Sequence, residues 1–319
     1  LEPLKFTVGI DIGGTNTKLG LVDSEGHLLR RVNFSTNPLL CFADYQILLT
    51  SALEEVTHDI PREDLLGVGM GVPGANGKTG SIPEAANIPF LTEIPLQSAL
   101  KELWNLPVFV AKDANAAALG EMLFGSAKGM DHFILLTLGT GLGSGVVING
   151  KIVSGSNGLA AEYGHSVLVK NGRSCNCGQR GCFETYVSAT GLKRTAISLL
   201  ANTNQHSILR DLSPNQLDAQ KIAEASENGD EIAKKAIKKT AQWLGLKMVD
   251  LVVLTDPEAI ILAGGLSKIG DYFLQTVRES LDKKLLPMFK GKVKVVYSSL
   301  GSDDAAILGA ASLVMNVKN

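Results

Sequence analysis

Two stretches of this sequence carry the same pattern of strand, glycine–threonine turn, strand, turn and strand. From Gly13 to Gly139 they stand 126 positions apart. In the first, Phe6 to Ile12 is rich in β-formers, Gly13-Gly14 breaks the run, Lys18 to Val22 resumes it, and His27 to Val32 follows a turn at 23–26. In the second, Phe133 to Thr137, the glycine turn 139–145, Val146 to Ile148, the Asn149-Gly150 hairpin turn and Lys151 to Val153 repeat the order. An internal repeat of this kind predicts a duplicated, two-lobed architecture.

After each meander, strands alternate with helices. Helical spacing runs over Tyr45 to His58, Leu96 to Trp104, Asn115 to Phe124, Ala219 to Ser226, Glu231 to about Leu254, Tyr272 to Lys284 and 303–314. Strands are expected at Leu66 to Val72, Val108 to Ala111, Ala259 to Leu262 and Val293 to Ser298. The class is therefore α/β. A small N-terminal lobe is expected over 1–118, completed by a C-terminal helix at about 303–319, with a larger lobe over 119–302.

Two familiar phosphate signatures are excluded. Gly145 to Ile152 is spaced like a P-loop, but Ile152 stands where a Ser or Thr must bind Mg²⁺, and Asn149-Gly150 reads as a hairpin. Gly69, Gly71 and Gly74 are spaced like a dinucleotide fingerprint, but Pro73 and Asn76-Gly77 prevent a helix from opening there.

The chemistry gathers in the turns. Gly13, Gly14, Thr15 and Asn16 offer backbone N–H groups and a hydroxyl to an anion, and Asp11 at the strand end can hold Mg²⁺. Taken alone, the segment also reads as a plain hairpin. Thr137, Gly139, Thr140 and Gly141 form a second turn of the same kind, so two turns can clamp one polyphosphate. Together these segments resemble the sugar kinase, heat-shock protein 70 and actin superfamily. That resemblance implies two ribonuclease-H-like lobes, an actin-like ATPase fold with ATP in the interlobe cleft, and backbone of Gly264 and Gly265 against the adenosine.

Asp113 follows a strand and precedes a helix. It reads either as a helix N-cap or as a carboxylate at the ligand-binding edge of a sheet. Further on, His165, Cys175, Cys177 and Cys182 are spaced H-x9-C-x-C-x4-C, the ligand set of a structural Zn²⁺ site. Glu162-x-Gly164-His165 followed by C-x-C-G-x-x-G-C-x-E, ending at Glu184, resembles the ROK family (repressors, open reading frames and kinases) over nearly the whole chain. The resemblance implies Asp113 as catalytic base and Asn87, Asp113, Glu162, His165 and Glu184 as sugar ligands, with one His165 nitrogen on zinc and the other toward the sugar. It implies an ATP-dependent hexose kinase using ATP with Mg²⁺, most often on glucose, working as a homodimer. N-acetylmannosamine, N-acetylglucosamine and fructose are the alternative acceptors.

One position departs from the family pattern. Lys112 stands where family kinases carry an Asn that bonds a sugar hydroxyl. Its amine is expected either to enter the pocket as a substitute donor or to point away.

Composition narrows the partners. A net charge of −2 gives no pull toward nucleic acid or anionic membrane. No apolar run approaches the ~20 residues of a membrane span. The first residues do not read as a signal peptide, and clustered cysteines without one suit metal better than disulfides, so a cytoplasmic location is expected. A sugar-responsive repressor would carry a helix-turn-helix before the first turn, for which ten residues ahead of Asp11 are too few.

Overall fold

A computed structural model of the chain describes residues 5–36, 41–83, 88–301 and 304–316. Two five-stranded sheets dominate it. The first contains β1 (Phe6–Ile12), β2 (Asn16–Asp23), β3 (Leu28–Ser35), β4 (Leu65–Gly71) and β5 (Val108–Ala111), in the order β3-β2-β1-β4-β5. The second contains β6 (Phe133–Leu138), β7 (Leu142–Ile148), β8 (Lys151–Ile152), β9 (Ala259–Ala263) and β10 (Lys294–Tyr297), in the order β10-β9-β6-β7-β8. In each sheet the first strand pairs antiparallel with the second and parallel with the fourth. The strand orders are the same when β1 is matched to β6, so the sequence repeat is a topological duplication.

Helices cover the sheets in two separate cores. α1 (Phe42–Thr57) buries Tyr45, Leu49, Leu53 and Val56, one stripe at helical spacing, over the first sheet with help from α2 (Leu96–Trp104). The second core is built by α5 (Ala189–Ala201), α6 (Ala219–Glu227), α7 (Glu231–Thr255) and α8 (Asp271–Asp282), with the short α4 (Glu184–Val187) at its edge. α7 starts where the Asp230 side chain accepts from the Ile232 and Ala233 N–H groups, and it stops at Asp256, which adopts a left-handed φ of 44° before Pro257. Among the described residues no helix is long and apolar enough to cross a membrane.

Two helices lie between the sheets: α3 (Asp113–Phe124) and α9 (Ala305–Met315). Glycine makes their approach possible. A Cβ on Gly9 would sit 2.0 Å from the Ile307 carbonyl oxygen, and one on Gly69 would sit 1.9 Å from that of Ala310, so α9 rests directly on the backbone of β1 and β4. α3 meets β7 in the same way, at Gly145 against the Ala114 carbonyl, and meets α9 where Gly120 faces Gly309. The last helix of the chain thus returns to the first sheet. α3 links both halves, because it packs on the second sheet and carries Asp113 at the end of β5.

Most elements fall within a few residues of expectation, but the short α4 and the longer α5 were not expected. The sequence reading leaves 189–201 unassigned, and the structure forms α5 there. The Leu192, Ala196 and Leu199 stripe was masked by Thr190-Gly191 and by β-branched Thr195 and Ile197, which weaken helix propensity. Gly69 and Gly71 lie in β4, and Asn149-Gly150 joins β7 to β8, so neither excluded signature forms a phosphate loop.

Candidate active site

The two glycine–threonine turns occupy equivalent places. Asp11 sits near the end of β1, and the Gly13 N–H donates to the Asn16 carbonyl (2.9 Å) to close the first turn. Thr137 sits near the end of β6, and the Gly139 N–H donates to the Gly141 carbonyl (3.0 Å) to close the second. Gly264, at φ 90°, follows β9 and brings its backbone against Leu138, since a Cβ there would lie 2.7 Å from the Leu138 carbonyl oxygen. Gly264 and Gly265 therefore adjoin the second turn.

Asp113 is the first residue of α3, after Lys112 at the N-cap position. Its Oδ1 accepts from the Ala114 N–H at 2.7 Å, but the N-cap itself is Lys112, so Asp113 lies one residue inside the helix and does not take the N-cap place the sequence also allowed. The residue is exposed at the helix start, yet the protein crowding around its carboxyl pushes it above the usual carboxylate range, opposed by the Ala114 N–H and the Lys112 charge and reinforced by Glu162. Asp11 is raised to about 6, first by burial and then by the charge of Asp113, with Lys18 opposing. Two carboxyls, one near the end of β1 and one at the start of α3, thus stand within electrostatic reach of each other, an arrangement that suits a proton acceptor beside a cation ligand.

The cysteine loop follows β8. The ligand atoms of His165, Cys175, Cys177 and Cys182 all lie within 4.8 Å of one another. Cys177 Sγ and Cys182 Sγ are 3.6 Å apart, and Cys175 Sγ is 3.7 Å from His165 Nδ1. Tetrahedral zinc with Zn–S of ~2.3 Å places its sulfurs about 3.8 Å from each other, so the donors and their spacing fit the ion. Arg173 fastens this loop to the neighbouring helices, donating to the Thr185 and Gly191 carbonyls at 2.7 and 3.0 Å and lying over the Tyr186 ring.

Glu184 connects the loop to the second turn. Its Oε2 accepts from the Leu142 N–H at 3.3 Å, and its Oε1 lies 3.1 Å from Cys175 Sγ. A cavity of about 750 Å³ opens here, lined by Thr140, His165, Glu184, Ser188, Thr190 and Arg194 among others. The last three come from α5 and its N-cap. Their signal in the sequence was Ser188 followed by an apolar stripe, with the Ser188 side chain capping the Gly191 N–H at 3.0 Å. Asn87 lies outside the described residues.

Lys112 follows neither expectation. Its amine neither offers a donor to the pocket nor points to solvent. It reaches the segment 160–162, donating to the Ala160 carbonyl (3.3 Å), the Ala161 carbonyl (2.8 Å) and Glu162 Oε1 (3.0 Å). The lysine is buried, so its ammonium needs these acceptors.

The duplicated sheets, paired turns and interlobe carboxyls define the ribonuclease-H-like, actin-like ATPase fold. The ROK family model matches residues 7–317, and the chain belongs to the ROK family. It is similar to a glucokinase of Streptomyces coelicolor, 37% identical over 318 residues and 97% of each chain. It is also similar to a glucokinase of Thermotoga maritima, 34% identical over 309 residues and 96% of each. Among solved structures, a ROK family glucokinase from Streptomyces griseus in complex with glucose and AMPPNP superposes with a TM-score of 0.83. It is 35% identical, over 98% of this chain and 99% of that one.

Proposed function

We propose that the chain is an ATP-dependent hexose kinase that phosphorylates glucose to glucose 6-phosphate. The observation that carries the residue assignments is the Asp113 carboxyl, solvent-accessible at the start of α3 and within electrostatic reach of Asp11 beside the first glycine–threonine turn. Similarity to full-length glucokinases supports the substrate.

Asp113 accepts the proton of the hexose 6-hydroxyl as that oxygen bonds to the γ-phosphorus of ATP. The bond from the γ-phosphorus to the bridging oxygen breaks, and ADP leaves with the electron pair. The turns at Gly13, Gly14, Thr15 and Asn16 and at Thr137, Gly139, Thr140 and Gly141 present N–H and hydroxyl donors to the phosphates. Gly264 and Gly265 let backbone approach the adenosine. Asp11 holds Mg²⁺, which supplies charge neutralisation when bound. Asn87, Glu162, His165 and Glu184 take the sugar hydroxyls, because carboxylates accept paired hydroxyl bonds and an imidazole held through Nδ1 donates from its Nε2–H. His165 Nδ1 faces the thiols, which leaves Nε2 for the sugar. Zinc at His165, Cys175, Cys177 and Cys182 orders this loop and takes no part in the transfer.

The small lobe comprises 1–118 with the C-terminal helix, and the large lobe 119–302. This reading is supported by the return of α9 to β1 and β4. A cytoplasmic homodimer completes the reading, on the family resemblance, and light scattering of the purified protein checks the dimer. The activity itself is tested by coupled detection of ADP. Glucose-dependent ADP release, abolished when glucose is omitted, is the expected result, and its absence with ATP and Mg²⁺ present overturns the reading.

A further inference from the structure

Lys112 crosses from the end of the first sheet to the segment that follows the second sheet's edge. An ammonium has three hydrogens. Three acceptors surround this one within 3.3 Å, two of them carbonyl oxygens and the third a carboxylate oxygen of Glu162. No hydrogen remains for a sugar hydroxyl.

The segment it grips is under backbone strain. Ala161 has φ 64°, in the left-handed region that a side chain disfavours. Its carbonyl accepts twice, from Lys112 Nζ at 2.8 Å and from Ser144 Oγ at 2.6 Å, and Ser144 is itself buried in β7. The Tyr163 N–H returns a bond to Ser144 Oγ at 3.3 Å. Glu162 therefore hangs between two residues fixed by Ser144, with one oxygen tied to Lys112. Its side chain is 52% exposed. Among the described residues, Oε2 has no hydrogen-bond donor, which leaves it for a ligand.

We propose that Lys112 is a positioning residue of the sugar site. It holds Ala161 in its left-handed conformation and one Glu162 oxygen in place, so that the other oxygen is presented to a sugar hydroxyl. Lys112 itself does not touch the sugar. This rests on the reading of Glu162 as a sugar ligand, and it assigns to Lys112 glucose affinity rather than chemistry.

The test is steady-state kinetics of Lys112→Met, Glu162→Gln and the double variant, with thermal unfolding recorded for each. Lys112→Met keeps the length and removes the donors. Measured on the alkaline plateau of the pH profile, where Asp113 is ionised with or without the Lys112 charge, it should raise the glucose KM about 10- to 100-fold, the worth of a hydrogen bond to a charged group, with kcat and the ATP KM within about threefold. A merely structural role would move all three together. Glu162→Gln should raise the glucose KM as well, and the double variant should be no worse than the larger single effect, because both act through one contact. An unchanged glucose KM in Lys112→Met, or multiplicative effects in the double variant, overturns the inference while Glu162 stands as a ligand. An unchanged glucose KM in Glu162→Gln overturns both the inference and the Glu162 assignment. If Lys112→Met does not accumulate as folded protein, Lys112→Gln retains two donors and carries the same comparison, with a smaller rise in the same direction.

Discussion

Asp113 occupies a place where stability and chemistry oppose each other. The protein crowding around its carboxyl holds it above the ordinary range although the residue is exposed, while the Ala114 N–H and Lys112 pull it back. A base must be ionised to accept a proton, so kcat/KM should fall as the pH drops through this raised value. That is a higher pH than an ordinary aspartate would require. Asp113→Asn should lower kcat by about 10²–10⁴-fold, leave glucose binding largely intact and remove the acid limb from what activity remains. Turnover near that of the parent, or an unchanged acid limb, would reduce Asp113 to a helix-start residue. The stability sign is the opposite of that for a salt-bridged aspartate. A carboxyl raised on folding favours the fold below its unfolded value, and its contribution declines as pH rises through the folded one. Because the residue is solvent-exposed, Asp113→Asn should raise the thermal midpoint at neutral pH only slightly, which differential scanning calorimetry checks.

At the scale of elements, the helix sandwich and the metal loop are the vulnerable parts. α9 lies on bare backbone at Gly9 and Gly69, with no space for a methyl group. Gly69→Ala should therefore destabilise by about 1–3 kcal/mol through overpacking, measured by chemical denaturation. Because α9 and α3 share the Gly120–Gly309 contact, the same variant should also disturb Asp113 and lower kcat. The loop of His165, Cys175, Cys177 and Cys182 should hold about one zinc per chain by elemental analysis. Cys177→Ser should raise the glucose KM before it affects the ATP KM, because the ordered neighbours are Glu162, His165 and Glu184. Metal-free protein with full activity would remove zinc from the account. These elements differ in how far the sequence revealed them. The cysteine spacing was legible because ligand types at fixed offsets leave few alternatives. α5 was not, because Thr-Gly opens it and β-branched residues weaken its propensity, and packing against α4, α6 and α7 supports it instead.

For the whole molecule, the question is which hexose the closed site accepts. Glucose should show a higher kcat/KM than N-acetylated hexosamines, because a site built to bond hydroxyls leaves buried polar groups unpaired with an analogue that lacks one. A C2 acetamido group would also crowd the metal loop beside Glu162 and His165. More efficient turnover of N-acetylmannosamine or N-acetylglucosamine in the same assay would reverse the assignment. The sequence by itself determined the duplicated α/β design, the two turns, the carboxylate after the strand and the cluster of three cysteines with His165. Each of these is written in local periodicity or in residue types at fixed spacing, which short-range physics dictates. Tertiary structure decided the rest. It opened the cavity beside α5 and turned Lys112 toward 160–162. Those outcomes depend on contacts between residues tens to hundreds of positions apart, where a buried ammonium takes whichever carbonyls the fold brings within reach.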